Sequence, residues 1–461
     1  MDYRSVILEA LEPFRELFEA FRAEGYQLYA VGGCVRDWVL GKVPKDVDFT
    51  TDALPEQTKA VLSKHGWKVI PVGEVFGTIA TLIHRKQYEI TTFRVKESYT
   101  RGSRHPIVCY GRELSKDLER RDLTINAMAA SEDGTIIDPY DGLGDISRRV
   151  LRVPSHSYAQ ALSIFGDDPL RMLRLARFKA RLGFEADVDA TRAAADMAGA
   201  ILTVSHERWF AEIDGLLRAP EFISGISWLV ETGIWPLIMP EFRILMHVKR
   251  EPVSLSDGLM RELDGDAESL WGQTLARVGH APVVGDLRWA SLFSMLGYAY
   301  SDHASWADET TAMLAGELML RLKFSSARIE QILKVLKPLP AGVPSGRVAR
   351  EFAILLGNAI RDWRQFQDVR VAALSEAYRS EALESLARWD DALAPYYADP
   401  SSAEVVLPKA LSQALTEALG VRGKTLGLCI AQCRDAVLDQ CLSETDDVEI
   451  FVKWVREHFE N

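Results

Sequence analysis

The sequence predicts an α+β protein: a small mixed α/β head followed by an extended all-helical neck, body and tail. Three observations predict it. Short β-branched runs broken by turn residues fill the chain from Tyr26 to about Asp138. After about Val150 apolar residues recur instead at i, i+3, i+4 spacing, the signature of amphipathic helices. At 461 residues the chain is also too long for one ordinary core, so two to four domains are expected.

The elements follow in order. "MDYRSVILEALEPFRELFEAFRAEG" alternates acids with apolar residues at helical spacing, unlike a secretory or transit signal, which predicts a cytoplasmic protein. "YQLYAVGG", "DVDFTT", "TIATLIHR", "QYEITTFRV" and "GTIIDPY" read as strands. "DDPLRMLRLARFKARLGF", "HERWFAEIDGLLRA", "GISWLVETGIWPLIM" and "DLRWASLFSMLGYAY" read as helices. Helical patterns continue to the C-terminus, broken at "KPLPAGVPSG" and "YYADPSS". The expected divisions are a catalytic head over 1–150, a neck over 151–220, a body over 221–337 and a tail over 338–461.

Composition narrows the class. With 48% hydrophobic and 26% charged residues, the chain has the make-up of a globular protein. No apolar run approaches the ~20 residues that span a bilayer. None of the five cysteines forms a CxxC pair, so reduced thiols are expected, with Cys429 and Cys433 sharing a helix face in a core. The net charge of −12 excludes a uniformly basic surface but leaves room for a local basic groove. Such a cluster lies between Ser147 and Gly183, where eight Arg and Lys face only Asp167 and Asp168.

In "YAVGGCVRDWVLGKVPKDVDFT" a strand breaks at Gly32-Gly33, which lets backbone approach a ligand and lets helix-start amides hold phosphate oxygens. Asp46 and Asp48 are spaced to share one face of a strand. Two such carboxylates repel unless a cation lies between them, and Mg²⁺ favours carboxylates together with substrate phosphates. Alone, the pair is equally consistent with a solvated edge strand. Glu89 in "YEITTFR" supplies a third acid, the number that two-metal phosphoryl transfer uses.

Taken together, "VGGCVRDWVLGKVPKDVDF", "YEITTFR", "ERRDLTINAMA", "DPYDGLGD" and "DDPLRMLRLARF" resemble the class II tRNA nucleotidyltransferases of the polymerase β superfamily, over roughly residues 26–245. That group contains the CCA-adding enzymes and bacterial poly(A) polymerases. The resemblance implies that Gly32, Gly33 and Arg36 face the triphosphate and that Asp37 holds the turn. It implies that Asp46 and Asp48 bind two Mg²⁺ ions and that Glu89 assists deprotonation of the primer 3′-hydroxyl. Arg121, Asp122 and Asn126 would recognise the ribose. Asp168 and Arg171 would read the edge of the incoming C or A, with Arg174 and Arg177 supporting base or triphosphate. An Asp accepts from an exocyclic amine and an Arg donates to a ring nitrogen or carbonyl, so the pair suits C and A. Asp167 stands where the family usually has Glu, one methylene longer for orienting Arg171. Glu207 and Arg208 in "SHERWFAEIDGLL" would brace that helix structurally. Ser294 and Met295 stand where some relatives carry a hydrolase His-Asp pair, so no hydrolase activity is expected.

The function implied is addition of CCA to the tRNA 3′ end from CTP and ATP, with Mg²⁺ and release of pyrophosphate, no membrane and no protein partner. A-only addition and poly(A) synthesis use the same head. The stretch from Arg94 to Lys116 is long enough for the family's flexible loop, which CC-adding members shorten. From other classes come a tRNA-binding protein that has lost catalysis and a small-molecule nucleotidyltransferase. Retention of Asp46, Asp48 and Glu89 opposes the first, and the long helical body opposes the second.

Overall fold

A computed structural model describes residues 3–458 except 72, 100–105, 156, 253–259, 263–268, 284–285, 301–303, 341–343, 373 and 375. The chain forms two compact units, Met1–Pro240 and Glu241–Asn461.

The first unit begins with helices α1 (Tyr3–Leu11) and α2 (Arg15–Ala23), then strand β1 (Leu28–Val31), helix α3 (Gly33–Val39), β2 (Asp48–Thr51) and α4 (Pro55–Lys64). Next come β3 (Val69–Ile70), β4 (Thr78–Ile83), β5 (Lys86–Thr92), β6 (Arg94–Tyr99), β7 (Pro106–Tyr110) and α5 (Leu114–Glu119). Strands β8 (Ala129–Ala130) and β9 (Ile136–Ile137) end the main sheet, whose order is β3-β4-β5-β2-β1-β8-β9. Within this sheet the central β2/β5 pairing is parallel, and its register sets Asp48 opposite Glu89. Phe49 of β2 is fully buried and takes edge-to-face contacts from Phe14 at 5.1 Å and Phe18 at 5.8 Å, so α2 closes one face of the sheet.

Two expectations change here. Asp46 lies just before the strand rather than within it, although buried Val47 between two exposed aspartates keeps the alternation. The stretch from Arg94 to Lys116 is not one loop: β6 and β7 pair as an antiparallel hairpin, α5 follows, and residues 100–105 lie outside the described residues.

After α6 (Gly142–Arg148) the unit is mainly helical, apart from a short parallel pairing of Val150–Leu151 with Glu185–Ala186: α7 (Tyr158–Asp167), α8 (Leu170–Leu182), α9 (Val188–Asp196), α10 (His206–Leu217) and α11 (Phe222–Glu231). The α8 helix buries Met172, Leu173, Leu175, Ala176 and Phe178 against its neighbours. Close approach of α11 requires Gly225, where a Cβ would stand 2.6 Å from the Ala176 carbonyl oxygen and 3.0 Å from the Ala180 Cβ.

Among its described residues the second unit is helical as expected, apart from Arg250–Pro252, which pairs antiparallel with Met260–Glu262. Trp363, Trp389, Leu356 and Leu386 centre one core. Cys429 and Cys433 join Leu415, Phe451 and Val455 in another, so those cysteines are packing residues. Ser294 and Met295 are buried, and the Ser294 hydroxyl accepts from Arg277 at 3.2 Å and donates to the Ser291 carbonyl at 2.8 Å. That spot is core. Among the described residues no helix is long and apolar enough to cross a membrane.

Candidate active site

A cleft of about 410 Å³ opens on the first unit, lined by Asp48, Thr78, Glu89, Thr91, Arg94, Arg120, Arg121, Asp122, Asp168, Arg171, Arg174 and Arg208 among others. Parallel pairing of β2 and β5 supplies its acidic wall. Asp48 reaches solvent but is flanked by protein, and the desolvation this brings raises it against the pull of Arg121, with Asp46 adding to the rise. Desolvation, Asp48 and Asp46 raise Glu89. Three carboxylates thus repel one another, as acids gathered for a cation do. Among the described residues no group of three or more His, Cys, Asp or Glu side chains is placed to hold a metal. Carboxylates such as Asp46 and Asp48 are the donor type by which Mg²⁺ is usually bound, with water and phosphate oxygens completing the shell.

Gly32 turns the chain from β1 into α3 at φ +82°, a backbone that L side chains avoid. A Cβ there would meet an Arg121 guanidinium nitrogen at 2.8 Å. The turn is thus shaped to admit Arg121, which Asp117 holds at 3.0 Å. Asp117 is fully buried. Burial would raise it, but Arg121, Arg120 and the Arg94 backbone N–H outweigh that and hold it at about 2.

Behind the cleft runs a chain of alternating charge. Arg36 is only 3% exposed and donates to Asp37 at 2.7 and 2.9 Å and to the Asn126 amide oxygen at 2.5 Å. Its guanidinium also lies 5.2 Å from the centre of the Phe178 ring. Asn126 donates to Asp122 at 3.0 Å, and Asp122 accepts from Arg174 at 2.8 Å. Burial would raise Asp122, but Arg174 and Asn126 hold it at about 2. Glu212 then lies 3.6 Å from Arg174 and 2.9 Å from Arg177. Burial keeps Glu212 above the usual carboxylate range despite both arginines.

The base-reading candidates sit where α7 gives way to α8. Asp168 accepts from the Leu170 N–H at 3.2 Å and from Arg208 at 2.8 Å. Arg171 donates to the carbonyls of Ile164 at 3.0 Å and Arg120 at 2.5 Å. Asp167 is exposed at the end of α7, and backbone carbonyls hold the two Arg171 guanidinium nitrogens.

The cleft therefore gathers Asp48, Glu89, Arg121, Asp122, Asp168, Arg171 and Arg174. Asp46, Gly32, Gly33, Arg36, Asn126 and Arg177 do not line it. Buried Arg36 spends its donors on Asp37 and Asn126 rather than pointing a charge at the cleft. Sequence reasoning missed Arg94, Arg120, Asp117 and Glu212, and took Arg208 for a purely structural residue. Asp117 carried a signal, standing three and four residues before Arg120 and Arg121 at the C-terminal end of α5. Glu212 carried none, since an acid in an amphipathic helix is ordinarily solvated.

Residues 28–152 match the model of the "Poly A polymerase head domain", and residues 183–245 match "Probable RNA and SrmB- binding site of polymerase A". A CCA-adding enzyme of Limosilactobacillus fermentum is 33% identical over 249 residues, 53% of this chain and 60% of that protein. One from Geobacillus stearothermophilus is 39% identical over 225 residues, 48% of this chain and 54% of that protein. Residues 28–152 thus carry a poly(A) polymerase head domain, and the curated relatives that the chain resembles are CCA-adding enzymes. In sequence the chain spans about half the length of the curated relatives it matches. In structure the likeness is longer: a Bacillus stearothermophilus CCA-adding enzyme solved with CTP is 26% identical with a TM-score of 0.65, covering 97% of each chain. The α/β head and helical remainder are thus the architecture of that solved enzyme.

Proposed function

We propose that this protein adds CCA to the 3′ end of tRNA, using CTP and ATP and releasing pyrophosphate. The observation that carries the reading is one cleft lined both by Asp48 and Glu89 and by Asp168 and Arg171. Chemistry at a phosphate and selection of a base are thereby served at one nucleotide. The relatives' CCA-adding activity and the CTP held by the solved neighbour support it.

Asp46 and Asp48 would hold Mg²⁺, which when bound would lower the pKa of the attacking hydroxyl and neutralise the leaving pyrophosphate. Glu89 assists in taking the proton of the tRNA 3′-hydroxyl. Asp122, kept ionised, accepts from the ribose hydroxyl, and Arg121 donates beside it. Arg36 serves by fixing Asn126 behind Asp122, while Gly32 and Gly33 leave room for Arg121 and the phosphates. Asp168 accepts from the amine of C or A, and Arg171 donates to the same edge. Arg174 and Arg177 supply positive charge beside the triphosphate. Head, neck, body and tail divide these tasks, with the helical body and tail gripping the acceptor arm of tRNA, and the reaction calls for no protein partner.

The test uses one tRNA ending before CCA, after C and after CC, with CTP, ATP or both and Mg²⁺. Stepwise growth to CCA with a clean stop supports the reading. Growth only from the CC form with ATP would mean A-only addition, long A tails on any RNA a poly(A) polymerase, and no growth a tRNA-binding protein without catalysis. Asp46→Ala should lose on the order of a hundredfold or more in rate, the loss of several kcal/mol of charge stabilisation.

A further inference from the structure

We propose that Arg208 is a specificity-determining residue: it fixes the carboxylate of Asp168 in the plane that tells amine-bearing bases from carbonyl-bearing ones. The inference rests on the reading of Asp168 as the base-contacting acceptor.

Asp168 lies between the end of α7 at Asp167 and the start of α8 at Leu170, with extended backbone at φ −147° and ψ 97°. Nothing helical restrains its side chain, and two bonds do that work instead. One oxygen accepts the Leu170 N–H at 3.2 Å and the other accepts Arg208 at 2.8 Å. Held at both oxygens, the carboxylate cannot rotate, yet each oxygen keeps a lone pair for a ligand. Such an acceptor pairs with the amine of C or A and repels the carbonyl of U or G. The Asp168 and Arg208 side chains are 14% and 22% exposed, so the pair is sheltered and charge-assisted rather than a solvated surface contact.

Arg208 also carries a hazard that the pair suppresses. Its guanidinium is itself a donor lining the cleft, and released from Asp168 it would offer hydrogen bonds to the carbonyl of U or G. Locking Arg208 onto Asp168 thus sharpens selection twice. One turn further along α10, Glu212 pairs with Arg174 and Arg177, whereas Arg208 pairs with Asp168. The two residues of α10 therefore have separable effects, base choice for Arg208 and general nucleotide affinity for Glu212.

The experiment compares the full chain with R208Q, R208K and E212Q. Calorimetric binding of CTP, ATP, UTP and GTP is measured beside kcat/KM for each on a tRNA lacking its CCA end. R208Q is expected to cut the CTP-over-UTP preference about tenfold, the scale of one lost charge-assisted hydrogen bond. R208K keeps the charge without the planar fork and should restore part of that preference, and it reads the effect if R208Q does not fold. E212Q should weaken all four nucleotides together. An unchanged CTP-over-UTP ratio in R208Q and R208K, or equal losses for all four bases, would overturn the role of Arg208 and leave that of Asp168 standing. An unmodified protein that binds CTP and UTP equally would overturn the reading of Asp168 itself.

Discussion

Asp48 and Glu89 face each other across two parallel strands while desolvation and neighbouring carboxylates lift both above the usual range. A carboxylate whose folded pKa is raised costs stability at neutral pH, and the cost is relieved as pH falls through that value or as a cation binds. Asp48→Asn should therefore raise the melting temperature of the metal-free protein while abolishing nucleotide addition. Added Mg²⁺ should raise the melting temperature of the unmodified chain and much less that of the variant. Asp117 and Asp122 work in the opposite sense. Each is held at about 2 by arginines, so each contributes stability that is complete above the unfolded value near 4 and lost as pH falls towards about 2. Acid titration followed by circular dichroism should show unfolding in that window, and Asp122→Asn should flatten it. Asp46, Asp48 and Glu89 were picked out in the sequence by the DxD spacing together with the family resemblance, since the spacing alone suits a solvated edge strand equally well. Arg36 was legible as a residue but not in its surroundings, because Asn126 lies ninety positions away and only folding brings it near.

Helices α8, α10 and α11 form the element on which the basic wall of the cleft depends. Gly225→Ala would drive a Cβ against the Ala176 carbonyl oxygen and push α11 off α8. The expected cost is about 1–3 kcal/mol, read from denaturant unfolding, with weaker nucleotide binding as the arginines of α8 shift. The stripe at Arg171, Arg174 and Arg177 was visible from its spacing of three, but its members part company in the fold. Arg171 is 8% exposed and tied to backbone carbonyls, whereas Arg174 and Arg177 are paired with acids. Spacing gives the face of a helix; it does not give what another helix brings to that face. The same limit explains the hairpin of β6 and β7, whose mixed polar sequence carries no clear alternation.

Over the whole molecule, a net charge of −12 coexists with a cleft lined by arginines in the first unit. Binding of tRNA should accordingly weaken with salt, log K falling linearly with log[salt], as counterions released from RNA phosphates require. Filter binding between low and physiological salt measures that slope, and a flat line would oppose phosphate contacts. The α/β head and helical remainder were legible because residue periodicity changes near Val150, and that change depends on neighbours in sequence. The partnerships of Asp117, Arg208 and Glu212 depend on neighbours in space, so they were not. The line from Asp37 through Arg36, the amide of Asn126, Asp122, Arg174 and Glu212 to Arg177 has a consequence over evolutionary time. Replacing one member strands the charge beside it, so lineages should change these positions two at a time or not at all. Descent would record the wiring as correlated drift between α3, α8 and α10.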